Sequence, residues 1–117
     1  MPIIRKGDIP ADELSGNQRQ TLVNGELGAT DLTVFELDVP PGGEIPVHIH
    51  PGHEECMVIL EGSLEALVGD DVTQVGPGDT VLAPGDIKHS LVNKSDKPAK
   101  FIAIFPTTNV QRHFLES

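Results

Sequence analysis

The apolar positions of this chain fall in short runs cut by glycine and proline, and no stretch holds a helical period for long. The clearest run is Asp31 to Val39. Thr33, Phe35, Leu37 and Val39 share one face and Leu32, Val34 and Glu36 the other, the alternation of a strand with one face on a core. Pro40-Pro41-Gly42-Gly43 ends it. Val47 to His50 predicts a short strand, turned by Pro51-Gly52-His53. Further strands are predicted at Glu55–Glu61, Ser63–Val68, Val72–Val75, Thr80–Ala83, His89–Asn93 and Lys100–Phe105, with turn residues between them. Ile3-Ile4 and Thr21-Leu22-Val23 are β-prone, and Asn24-Gly25 predicts a tight hairpin turn. Asp12-Glu13-Leu14 reads as a single turn. Pro106 onward reads as a tail that packs back through Val110, Phe114 and Leu115.

Many short strands at close spacing predict an all-β sandwich or barrel. No connection is long enough for the crossover helix of a parallel βαβ unit. The 117 residues suit one domain, with segments 1–18 and 106–117 packing on a barrel. The formal charge of −10 comes from 18 acidic and 8 scattered basic residues, which excludes a basic stripe for nucleic acid. No apolar run reaches membrane-spanning length, and the N-terminal stretch lacks the apolar core of a signal peptide, so a cytoplasmic protein with no membrane partner is expected. One cysteine, Cys56, leaves no internal disulfide. The absence of tyrosine removes a phenol as general acid.

The chemistry concentrates in His48-Ile49-His50-Pro51-Gly52-His53-Glu54-Glu55. On a strand His48 and His50 point to the same face, and a carboxylate returning after a short turn can reach the same point. Imidazole nitrogens and a carboxylate oxygen suit Fe, Mn, Ni, Zn or Cu, without choosing among them.

These positions, with a second set near residue 89, resemble the two motifs of the cupin superfamily. The first reads Gly42, His48, His50, Glu55, Gly62 with every spacing met; the second reads Gly78, Pro84, His89, Asn93. One departure is that the inner glycine of the second motif is Gly85, one place early, with Asp86 where the family has glycine. The motif core spans residues 42–93. The resemblance implies a double-stranded β-helix, or jelly roll, with a divalent transition metal held near one open end by His48, His50, Glu55 and His89. Three histidines and one carboxylate leave one or two positions open on a five- or six-coordinate ion. Backbone carbonyls or Asn93 are expected to take the outer nitrogens of the histidines.

Glu55 is favoured over Glu54 because it has six residues before Gly62 and shares a face with Met57 and Ile59. Met57, Ile59 and Leu91 are expected to line an apolar lumen. His53 is read as a surface turn residue, with an acid–base group at the cavity mouth as the alternative. His113 is read as solvent-exposed unless the tail brings it to the site. No catalytic residue is assigned; His53 and Arg112 are the candidates. Cys56, Val58 and Leu60 make the outer face of the same strand apolar, from which a homodimer is expected. The resemblance implies a metal-dependent enzyme of oxygenase, isomerase or lyase type, on a small organic acid or a carbohydrate-derived or oxygenated ring substrate. The alternatives are a non-catalytic small-ligand sensor, a structural dimer whose metal only stabilises the fold, and a cupin that processes unsaturated uronates. For the last, the acid expected on the final strand is missing from Phe101-Ile102-Ala103-Ile104-Phe105.

Overall fold

The structure, a computed structural model, describes residues 2–115. Its strands are β1 (Asp12–Leu14), β2 (Asn17–Val23), β3 (Thr33–Val39), β4 (Glu44–Ile49), β5 (Glu55–Glu61), β6 (Leu64–Val68), β7 (Asp71–Val75), β8 (Thr80–Ala83), β9 (His89–Val92), β10 (Ala99–Phe105) and β11 (His113–Phe114). They form two antiparallel sheets, ordered β1-β2-β3-β10-β5-β8 and β11-β4-β9-β6-β7. The only helical element among the described residues is a 3₁₀ turn at Lys6–Asp8. This is the jelly-roll, double-stranded β-helix class.

Alternation decides which side chains fill the space between the sheets. Thr33, Phe35, Leu37 and Val39 of β3 are buried, as are Met57 and Ile59 of β5 and Phe101, Ala103 and Phe105 of β10. Ile45, Leu64, Ala66, Val81, Ala83, Leu91 and Ala99 add to the core. The outer face of the first sheet stays apolar: Leu32, Leu60 and Leu82 are exposed there, beside half-buried Cys56, Val58 and Ile104.

Four local expectations are corrected. Ile3-Ile4 forms no strand, and Ile3 is exposed. Asp12–Leu14 is a strand rather than a turn, because Asp12 pairs with Arg19 and Leu14 with Asn17 on the edge of the sheet. The β2–β3 hairpin exists, but Asn24-Gly25 opens a wider loop closed by hydrogen bonds to the Asn24 carbonyl from the Leu27 and Ala29 amides. Asn93 lies away from the histidines. Its Nδ2 donates to the carbonyls of Val39 (3.0 Å) and Lys97 (2.8 Å), tying the end of β9 to β3 and to the loop before β10.

Candidate metal centre

β4 pairs with β9 in antiparallel register, with His48 opposite His89. The register shifts between Ile45 and His48, which lets both point inward although they are three positions apart. His50 follows β4 and keeps the inward parity of His48. Glu55 opens β5 in the other sheet, opposite Ala83. The site therefore bridges both sheets. All four residues are buried, and one ligand atom from each lies within 4.8 Å of the others. At metal–ligand bonds of about 2.0–2.2 Å, atoms sharing one ion are at most about 4.4 Å apart, so closure needs movement of only a few tenths of an ångström. Glu54 is exposed and takes no part.

The outer nitrogen of each histidine faces a backbone carbonyl, which can only accept. His48 Nδ1–H donates to Pro46 O (2.7 Å), His50 Nδ1–H to Gln111 O (2.7 Å) and His89 Nδ1–H to Ile87 O (3.0 Å). These bonds fix the tautomer and leave each Nε2 for the centre. There His50 Nε2 and His89 Nε2 lie 2.9 Å and 3.0 Å from Glu55 Oε1. A carboxylate oxygen and two imidazole nitrogens at that distance need a cation between them or protons on the nitrogens. A divalent ion satisfies all four groups at once, so the donor set fits a metal ion.

The electrostatics agree. Burial pushes the His48 imidazole down to about 4, helped by the charges of His89 and His50, so it is neutral and able to ligate at ordinary pH. Burial alone would raise the Glu55 carboxyl. With no ion in place and protons on their Nε2 atoms, His50 and His89 outweigh it through hydrogen bonds and charge and hold the carboxyl at about 2.

The cluster opens on a narrow chamber between the sheets, lined among others by Met57, Leu91, Phe101 and Phe105. One charged residue from outside the motifs enters it, Arg112. The residue is half-buried, and among the described residues its buried Nε has no hydrogen-bond partner. Burial lowers the guanidinium's pKa, and the Glu55 charge partly restores it.

The C-terminal segment does fold over the barrel. Through β11 it pairs His113 with Ile49 and Phe114 with His48, and His113 itself is exposed. His53 is half-buried rather than a free surface residue. Its ring stacks on His50, with centroids 5.1 Å apart and planes at 26°. Its Nδ1–H donates to Glu54 O (3.1 Å) and its Nε2 accepts from the Gln111 amide (3.0 Å). Both nitrogens are thus engaged, and the residue braces His50 and the tail. The participation of Gln111 was not foreseen: it acts through its backbone, and no residue type announces that.

Residues 35–105 match the family described as Cupin domain. A germin-like protein of Morus alba is 36% identical over 92 residues, covering 74% of this chain and 42% of that protein. The chain thus spans less than half the length of the germin-like proteins it matches. Among solved structures, the polyketide cyclase RemF of Streptomyces resistomycificus superposes with a TM-score of 0.81 at 25% identity, covering 100% of this chain and 88% of that one. A Lactobacillus farciminis oxalate decarboxylase, in complex with formate, superposes at 0.83 and 20% identity, over 93% of this chain and 34% of that one.

Proposed function

The chain belongs to the cupin family, and on that footing we propose that it is a metal-dependent enzyme acting on a small organic acid or an oxygenated ring compound. The observation that carries the reading is the convergence of His48, His50, Glu55 and His89 on one buried point. These four residues would hold the ion. A bound divalent ion supplies Lewis-acid polarisation of a coordinated oxygen, and one-electron chemistry where it is redox-active. A +2 ion with one carboxylate leaves about +1 at the centre by charge counting, and the Arg112 guanidinium adds to it, so the chamber favours an anionic substrate group. Met57, Leu91, Phe101 and Phe105 exclude water, which strengthens each of these interactions. The likeness to RemF supports the ring-compound half of the reading. A homodimer joined through the outer face around Leu60 and Leu82 belongs to the same reading, and light scattering checks it.

Protein purified without added metal is expected to contain a first-row divalent ion by elemental analysis. His48→Ala and His89→Ala should each weaken its binding by more than about 100-fold, beyond the 10–100-fold typical of outer partners. No uptake of Fe, Mn, Ni, Zn or Cu would overturn the reading. Metal bound without turnover of any acid or ring substrate, but with tight ligand binding, would favour a sensor.

A further inference from the structure

Gln111 and Arg112 are consecutive residues that face different spaces. Arg112 lines the inner chamber with His48, Glu55 and His89, and that chamber measures about 10 Å³. This is room for about one water molecule. Gln111 lines an outer recess of about 700 Å³ together with His53, Glu54 and Asp86. That volume is in the range of small-molecule sites. Between the two spaces stand the His53 ring, the His50 ring and the backbone of residue 111.

The partition is thin. The Gln111 amide donates to His53 Nε2 (3.0 Å), and the Gln111 carbonyl accepts from His50 Nδ1–H (2.7 Å). Beyond it, the strap is held by the two-residue β11, by a bond from the Leu115 amide to Val47 O (3.0 Å) and one from Thr33 Oγ1 to Thr107 O (2.7 Å), and by Val110 packing against the core. Apart from Leu14 on the three-residue edge strand β1, the other walls of the chamber are strands of four to seven residues within the sheets. An organic ligand cannot enter a one-water chamber unless a wall moves, and this wall is paired through the shortest strand. It also carries the half-buried Arg112, whose buried Nε has no hydrogen-bond partner among the described residues and would gain one from an anion. Arg19, whose charge acts on Arg112, is already held by Asp12 through two bonds of 2.9 Å.

We propose that the strap from Pro106 to Leu115 is the gate between recess and chamber, and that its closure places the Arg112 guanidinium on the carboxylate, or other small anionic head, of the ligand. The proposal rests on the metal-centre reading for what the anion meets inside. The gate itself does not depend on that reading.

The test uses the whole chain loaded with Co(II), with azide as the probe anion, followed by stopped-flow visible absorption. In the wild type the observed rate should reach a limit as azide rises, set by strap opening. His53→Phe keeps an aromatic ring against His50 and Phe105 but removes the acceptor for Gln111. It should raise the limiting rate roughly fivefold, the worth of one ordinary hydrogen bond. Arg112→Met should weaken azide binding by at least about tenfold while leaving cobalt affinity unchanged, with Arg112→Lys recovering part of the loss. A rate that climbs with azide without limit, or azide binding unaffected by Arg112→Met, would overturn the proposal. Hydrogen exchange on metal-free protein tests the gate separately. The Gln111 and Leu115 amides should exchange far ahead of those of β10, and faster still in His53→Phe; exchange in step with β10 overturns the gate. Failure to hold cobalt, with early strap exchange, would defeat the metal-centre reading and leave the gate standing.

Discussion

Gly62 opens the turn after β5, the strand that begins with Glu55, and its backbone takes φ +79°. A Cβ added there would lie 2.6 Å from Pro98 O, 2.8 Å from Ala99 Cα and 2.9 Å from Ala99 Cβ. Two of these three are backbone atoms at the start of β10, so no side-chain rotation relieves the contact. Gly42 has the same φ of +79° with nothing within 4 Å of its added Cβ. The two positions separate backbone strain from collision. Gly42→Ala should cost about 1 kcal/mol, the left-handed penalty alone. Gly62→Ala carries that penalty and must also displace β10, an overpacking cost of about 1–3 kcal/mol, for a total of about 2–4 kcal/mol. At about 4 °C per kcal/mol for a chain of this size, the melting temperature should drop by about 4 °C in the first variant and about 8–16 °C in the second. Urea denaturation of metal-free protein, run beside the thermal scans, gives the free energies directly. Equal losses in the two variants would refute the reasoning.

Two other predictions concern the site and its support. The His48 imidazole is held down to about 4 against an ordinary value of 6.5, so below pH 6.5 the unfolded chain takes a proton that the folded one refuses. Stability of the metal-free protein should be intact above pH 6.5 and fall by about 3 kcal/mol as the pH drops to 4, with Glu55 adding to the loss below 4.5; denaturation midpoints that stay flat between pH 7 and 4.5 would contradict this. Asn93 is fully buried and makes bonds through both ends of its amide, to Val39 O and Lys97 O and from Ser95. Asn93→Ala should therefore cost about 3 kcal/mol in urea titrations while metal affinity, measured by competition with a chelator, stays unchanged; a matched fall in affinity would place the residue in the metal's outer shell instead.

Much of the fold was legible because alternation survives wherever a strand has one buried face. Thr33, Phe35, Leu37 and Val39 announce their burial this way, and Met57 and Ile59 do so beside Glu55. Of the four-residue cluster, His48 and His50 were legible from strand parity and Glu55 from its face shared with Met57 and Ile59, whereas His89 came through the resemblance to the cupin motifs. Edge structure was not. Asp12-Glu13-Leu14 is a strand by pairing alone, with its first two residues exposed, and no burial imprints a period on it. Ile3-Ile4 shows the converse, since β-prone residues form no strand without a neighbour to pair with. The orienting carbonyls of Pro46, Ile87 and Gln111 left no trace either. Every residue has a carbonyl, and the contact from His50 to Gln111 spans 61 positions. Arg112 was visible as a charge on the tail, but its entry into the chamber follows from β11 pairing with β4.

Residue 111 braces both His50 and His53 with main-chain atoms only, while its side chain faces the outer recess. Any residue other than proline can supply those two backbone bonds. In the proposed gate, the identity of residue 111 is thus free to change what passes from the recess without disturbing the tautomer of His50 a few ångströms away. Selectivity and metal chemistry are separable at a single position, and libraries built at residue 111 could retarget this scaffold while its centre stays constant.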